Sequence, residues 1–402
     1  MRNITDTGPN PKIWRQLLPD YEGGSIANLM SSIMQARGVA PEICPPLMGV
    51  DDSAWCDARS IVLIVADGVG SRQIASLSPQ GLLSRNKCSD LSSVFLSTTA
   101  CALTTLMTGL PPRTHGLVGW HMHFDELDAM LAVLPLTRRG VRKEPDADLA
   151  ERARILFGAG LPLAGLPDGT LALSPDPIYD SPFSQAHSRD AERSGYFGTA
   201  DLFERICEHA LGPQPPRYTY AYFEAFDAYS HRYGCNSDKA RAVLADFEQR
   251  LEGALQRLAG SGTLVIVTAD HGFIDAPPDR LIELDDHPQL ADMLARPLWG
   301  ERRVAFCSLK PGRHKDFERY MATQLDDVCD GYRSTDLIDA GWYGPPPQHP
   351  KFAARTGDYT LIMREDWTLR DILPDERPYE LAAVHGGLSE AEMRVPLAVF
   401  AC

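Results

Sequence analysis

An α/β fold built round a parallel sheet follows from three features of the chain. The string SIVLIVADGVG, residues 60–70, carries the β-branched run Ile61, Val62, Ile64 and Val65, the continuous apolar pattern of a strand buried on both faces. A second such run, TLVIVTADHGF, occupies residues 263–273. Ahead of it, residues 240–258 place Val243, Leu244, Phe247, Leu251, Leu255 and Leu258 at the 3.6-residue period of a helix. A helix leading straight into a buried strand is the alternation of a βαβ unit.

The remaining elements follow in chain order. A polar leader to about Gly24 precedes an amphipathic helix over 25–35, with Ile26, Leu29, Met30, Ile33 and Met34 on one face. After the strand at 60 comes SVFLSTTACALTTLMTG, a short strand running into a helix over about 100–108. WHMHF then reads as strand, which turns His121 and His123 to the same side. Residues 125–216, including AGLPLAGLPDGTLALSPDPIYDSP, are rich in Pro, Gly and Asp, so turns are expected to dominate. A strand over 218–224 precedes the 240–258 helix. Residues 275–381 hold strand-like RRVAFCSL and DYTLIMRE, an amphipathic stretch at 317–325 and the extended loop PPPQHP. VPLAVFA, 395–401, is the closing strand. The expected division is a catalytic domain over 1–274 and 382–402, with the irregular insertion at about 125–216, and a smaller inserted cap or lid over 275–381. No internal repeat is evident.

Composition narrows the class. With 402 residues and 44% hydrophobic content the chain can bury a large core. A net charge of −15 repels a nucleic acid polymer, whereas divalent ions would make a local site positive for small phosphorylated molecules. No long apolar run reads as a membrane span, and MRNITDTG lacks the apolar stretch of a secretory leader; a cytoplasmic protein without membrane contact is expected. The nine cysteines are odd in number and widely spaced, which fits reduced thiols.

Seven residues carry the chemistry. Asp67 ends the first strand, where open α/β sheets bind ligands. Thr99 stands at a helix N-terminus, whose free N–H groups favour phosphate. Asp227 and His231 are four apart and so share one side of a helix. Asp270 and His271 arrive together at a strand end, and His385 lies in AVHGG. Taken singly, Asp67 also suits a turn, Thr99 an N-cap and His385 a structural role. Two adjacent ligand-type residues at 270 and 271 are harder to explain by packing. Three carboxylates and three imidazoles without cysteine suit a pair of borderline divalent ions such as zinc.

In their order, strand-Asp, Thr at a helix start, Asp-x-x-x-His, Asp-His-Gly and His-Gly-Gly, these strings resemble the type I phosphodiesterase/nucleotide pyrophosphatase family of the alkaline phosphatase superfamily, over about 61–397. The resemblance implies an alkaline-phosphatase-like three-layer sandwich, its mainly parallel central sheet covered by helices on both faces. It implies two divalent ions, Zn2+ first and Mn2+ as the alternative. Asp227, His231 and His385 would hold one, and Asp67, Asp270 and His271 the other. Thr99, between them as ligand and nucleophile, would attack phosphorus in line and form a phospho-threonine that is then hydrolysed. Thr98 is the rival, but the similarity of Thr108-Gly109-Leu110 to the family's Thr-Gly-Leu places the nucleophile at Thr99.

Two departures stand out. Ala100 replaces the aromatic residue that stacks on a nucleobase, and Trp120 falls where the family has a phosphate-binding asparagine. Trp120, His121 and His123 are the expected substrate contacts. The expected function is cleavage of a phosphodiester of a small, nucleotide-type metabolite. The lack of an arginine near Thr99 to grip a dianion favours diesters. A phosphonate hydrolase or phosphomonoesterase on the same core is the alternative, and a metal-binding regulatory protein without turnover is the alternative of another class.

Overall fold

The structure, a computed structural model, describes residues 17–51, 53–141, 147–157, 169–188, 191–374 and 376–402. The first sixteen residues of the expected polar leader, and residues 158–168 of the Pro- and Gly-rich string, lie outside the described residues. The chain begins with α1 (Ile26–Ala36), β1 (Ser60–Ala66), α2 (Ser71–Leu77), α3 (Leu82–Asn86), β2 (Lys87–Ser92), α4 (Thr99–Thr108) and α5 (Pro112–His115). There follow β3 (His121–Phe124), β4 (Ala129–Ala132), β5 (Thr137–Arg138), α6 (Ala147–Phe157), β6 (Thr170–Pro175), α7 (Pro182–Ser188), β7 (Glu192–Tyr196) and α8 (Gly198–Leu211). The second half opens with β8 (Tyr218–Phe223), α9 (Ala225–Tyr233), α10 (Asp238–Leu258), β9 (Thr263–Thr268), β10 (Ile274–Asp275) and β11 (Leu281–Glu283). It closes with β12 (Trp299–Gly300), β13 (Val304–Cys307), β14 (Cys329–Arg333), β15 (Tyr359–Met363), β16 (Thr368–Arg370), β17 (Ala383–Val384) and β18 (Arg394–Ala401).

The central sheet has the order β2-β18-β9-β1-β8-β6-β7. β1, β6, β7, β8 and β9 are mutually parallel, and β18 runs antiparallel between β9 and β2. Right-handed crossovers put connections made in opposite directions on opposite faces. The step from β6 outward to β7 carries α7, whereas the steps back from β7 to β8 and on to β9 carry α8 and α10. Contacts divide accordingly: α4 touches α1 and α7, while α10 touches α8 and α3. The result is the helix–sheet–helix sandwich of the alkaline phosphatase fold. Every residue of β1, β8 and β9 is buried, as their unbroken apolar runs require.

Residues 125–216 differ from the expectation of turns. They supply β6, β7, α7 and α8, so two strands of the central sheet come from this stretch. The Pro and Gly residues there punctuate short strands of five and six residues, and composition alone hides such strands.

A second sheet, of order β14-β15-β13-β12-β3-β4-β5, joins the 275–381 stretch to the hairpins at 121–138 through the pairing of Gly300 with His121. The cap expected at 275–381 therefore shares its sheet with the other part of the chain, although it keeps an apolar cluster of its own around Leu290, Phe317, Tyr359 and Leu361. All nine cysteines are unbridged. Among the described residues, no helix is long and apolar enough to cross a membrane.

Candidate metal centre

Parallel strands end on one edge of a sheet, and here that edge assembles the site. Asp67 follows β1, its N–H donating to the Phe223 carbonyl at the end of β8 at 2.8 Å. Asp227 and His231 stand on α9, which begins two residues past β8, and Asp270 and His271 follow β9. The turn after β1 is tight because Gly68 takes φ +73° and a Cβ there would meet the Phe273 ring at 2.3 Å. Gly272 lets the backbone after His271 pass the Ala391 carbonyl, which a Cβ would approach to 2.1 Å. Thr99 opens α4, and His385 follows β17, which pairs with β10 just beyond His271.

All seven residues meet in two adjoining groups. In the first, His231 Nε2 lies 3.4 Å from Asp227 Oδ1 and 3.2 Å from His385 Nε2, and His385 Nε2 lies 3.7 Å from Asp227 Oδ1. In the second, His271 Nε2 lies 3.3 Å from Asp67 Oδ1, 3.4 Å from Asp270 Oδ2 and 3.1 Å from Thr99 Oγ1. His271 also comes within ligand reach of Asp227 and His385, and its ring stacks on that of His385 at 3.7 Å between centroids. The groups adjoin one another, and the Phe273 ring packs nearly perpendicular to those of His231, His271 and His385.

The donor geometry fits divalent ions. Tetrahedral ligands bonded at about 2.0–2.2 Å stand roughly 3.3–3.6 Å apart, close to the 3.1–3.7 Å between these atoms. Each imidazole turns Nδ1 to a backbone carbonyl: His231 to Ala383 at 2.8 Å, His271 to Gly272 at 3.1 Å and His385 to Ser97 at 3.3 Å. Those bonds hold the proton on Nδ1 and leave the Nε2 lone pair free for a cation. Asp67 Oδ1, Asp227 Oδ1 and Asp270 Oδ2 are buried without a hydrogen-bond partner among the described residues. Three orphaned carboxylate oxygens facing three imidazole nitrogens are costly to bury unless a cation meets them.

The charges agree. Burial raises the Asp67 carboxyl well above the usual carboxylate range, with Asp270 and Asp227 adding to the shift, and burial raises Asp270 too. Burial, helped by His271 and His231, pushes His385 well below the ordinary imidazole value, which keeps it neutral. For His231 burial is the largest effect and opposes the charge, but Asp227, the Ala383 carbonyl and Glu301 together make the net shift upward.

The two threonines part company. Thr98, the N-cap of α4, donates from Oγ1 to Glu301 Oε1 at 2.5 Å, and the Trp120 N–H donates to the same oxygen at 2.7 Å. Thr99 alone turns its hydroxyl toward the ligand groups. Glu301 carried no motif in the sequence. Burial raises its carboxyl to about 7, against the pull of those two donors. Two further residues support the groups: Tyr222 donates from Oη to Asp67 Oδ2, and Glu392, which carried no sequence signal, accepts from the Gly387 N–H at 2.8 Å. Glu392 and Arg303 form a completely buried ion pair, Nε to Oε1 at 3.1 Å, beneath the His385 loop. Tyr222 was open to detection, since period-two alternation in YTYAYF puts it on one face with Tyr218 and Tyr220.

A pocket opens beside His231 and His385, and Trp120, His121 and Glu301 line it. His123 departs from the expected substrate contacts: its ring meets Arg296 Nη1 at 2.6 Å and Asp125 Oδ1 at 3.3 Å, outside that pocket. The β3 pleat carries both histidines on one face, but the chain just ahead of β12 places Arg296 against the second of them.

Fold and centre together define a hydrolase of the alkaline phosphatase superfamily. The family model described as type I phosphodiesterase / nucleotide pyrophosphatase matches residues 61–388, and the chain belongs to that family. Among solved structures, murine ectonucleotide pyrophosphatase / phosphodiesterase 5 is 18% identical over 84% of this chain and 87% of its own, with a TM-score of 0.60. The human counterpart is 19% identical over 85% and 87%, with a TM-score of 0.59. Phosphonoacetate hydrolase from Sinorhizobium meliloti 1021 is 17% identical over 85% and 90%, with a TM-score of 0.58. At these identities the likeness is one of fold. No curated protein matches the chain.

Proposed function

We propose that this protein is a two-zinc phosphodiesterase acting on a small phosphorylated metabolite through a phospho-threonine at Thr99. The observation that carries the reading is the pair of three-ligand groups at tetrahedral spacing with Thr99 Oγ1 3.1 Å from His271 Nε2. Asp227, His231 and His385 would hold one ion, and Asp67, Asp270 and His271, with Thr99, the other. The ions supply Lewis-acid charge for phosphoryl oxygens and lower the pKa of a hydroxyl beside them.

Thr99 Oγ attacks phosphorus, the Oγ–P bond forms as the ester P–O bond breaks, and the alcohol departs. Water then cleaves the phospho-threonine, returns the Thr99 hydroxyl and releases the phosphomonoester. N–H groups at the start of α4 face the phosphoryl oxygens. Thr98, tied to Glu301, holds that helix start in place, while the substituent of the substrate occupies the pocket lined by Trp120 and His121. Two neighbours are consistent with this reading: an inactive threonine-to-alanine variant of the murine protein is in complex with AMP, and the Sinorhizobium enzyme is in complex with phosphonoformate.

The test is a panel of bis-p-nitrophenyl phosphate, p-nitrophenyl phosphate and p-nitrophenyl phenylphosphonate with zinc- or manganese-loaded protein. The diester is expected to turn over fastest. Faster monoester turnover would refute the diesterase assignment, and metal binding without any hydrolysis would favour a regulatory protein.

A further inference from the structure

Four arginines line the pocket, the exposed Arg377 and, in different states of satisfaction, Arg139, Arg370 and Arg302. Arg139 gives Nε and Nη2 to Glu376 at 2.7 and 3.0 Å and Nη1 to the Leu298 carbonyl at 2.7 Å. Arg370 gives Nε to Glu283 at 3.0 Å and Nη1 to Glu380, also at 3.0 Å. Both are neutralised by carboxylates and serve as scaffold.

Arg302, next in the chain to Glu301, is different. Its Nη2 donates to the Tyr379 carbonyl at 2.6 Å, and its guanidinium lies over the Tyr379 ring, 4.8 Å from the centroid. Nε and Nη1 find no acceptor, and no carboxylate comes within ion-pair distance of the group, among the described residues. The side chain is half-buried, so a charge without an ion-pair partner, felt by Glu380 only at longer range, is held partly out of water, where a counter-ion gains most. The perch is firm, because the Tyr379 carbonyl also accepts from Arg370 Nη1 at 3.2 Å. A guanidinium held by stacking, with Nε and Nη1 unpaired among the described residues and opening on the pocket that His231 and His385 share, can receive an oxyanion through a charge-assisted hydrogen bond.

Resting on the phosphohydrolase reading above, we propose that Arg302 binds a second oxyanionic group on the substrate, a carboxylate or a phosphate, set on the substituent that occupies the pocket. The preferred substrate is then a phosphoryl compound with two separated anionic ends. That preference stands in for the nucleobase stacking that Ala100 does not offer.

Binding to zinc-loaded protein is measured by calorimetry and by competition against bis-p-nitrophenyl phosphate, with methylphosphonate, phosphonoacetate and methylenediphosphonate as probes. The two-ended probes are expected to bind at least about tenfold more tightly than methylphosphonate. Arg302→Met should cut that ratio to below about threefold, and Arg302→Lys, which keeps the charge and loses the fork, should fall between. Preference for phosphonoacetate identifies a carboxylate as the second group, and preference for methylenediphosphonate a phosphate. An unchanged ratio in Arg302→Met with full metal content would overturn the inference while leaving the hydrolase intact. No hydrolysis of the diester by loaded wild type would refute the underlying reading, and this inference with it.

Discussion

Replacing each of the two adjacent threonines by alanine separates chemistry from scaffolding. Thr98 is completely buried, and its hydroxyl donates to Glu301 at 2.5 Å. Above the raised Glu301 value of about 7, where that carboxylate is ionised, a hydrogen bond to a charged partner contributes about 1.5–3 kcal/mol. For 402 residues, an unfolding entropy of about 2.1 cal/mol/K per residue sums to roughly 0.8 kcal/mol/K. Thr98→Ala should therefore lower Tm by about 2–4 °C while the chemistry persists. Among the described residues the Thr99 hydroxyl makes one side-chain hydrogen bond, to His271 at 3.1 Å, so Thr99→Ala should cost about 1 kcal/mol, near 1 °C. It removes the attacking oxygen, however, and turnover of bis-p-nitrophenyl phosphate should fall by at least about 10³-fold. Melting curves and p-nitrophenol release on the same metal-loaded samples give both readouts. Turnover lost in Thr98→Ala at an unchanged Tm, with activity kept in Thr99→Ala, would refute the assignment.

Two further outcomes follow from the centre. Metal at about 100 times its Kd adds about 2.7 kcal/mol per site, so chelation should lower Tm by about 3 °C per ion removed. Because burial raises Asp67 and Asp270, the chelated protein keeps their contribution below the unfolded carboxyl value, near pH 4, and loses it as the pH climbs through the raised values. The Tm gap between loaded and chelated protein should therefore widen from pH 5 to 8; a gap that narrows contradicts the ligand set. Tyr222→Phe removes the donor that orients Asp67 and should weaken metal binding about 10–100-fold, measured by titration of chelated protein, with unchanged affinity counting against that orienting role.

Much of the fold was legible because burial on both faces leaves a mark in local composition. β1 and β9 read directly from SIVLIVA and TLVIVT, and α10 from its apolar period. β6 and β7 did not, since TLALSP and ERSGY are short, stand toward the edge of the sheet and adjoin Pro- and Gly-rich turns. The second sheet was illegible for another reason: it pairs Gly300 with His121 across more than 170 residues, and sequence does not encode partners at such a distance. His123 shows the limit of strand periodicity, which names a face but not what lies opposite it.

Residue type and position at strand ends were thus enough to indicate the parallel core and to single out the three aspartates and three histidines that come together, because both are local properties of the chain. Register and long loops settled the rest: that the ligand atoms meet at 3.1–3.7 Å, that Thr98 is taken by Glu301, and that Arg302 has donors to spare. Such facts depend on which distant segments come face to face, and the packing of the whole molecule fixes that.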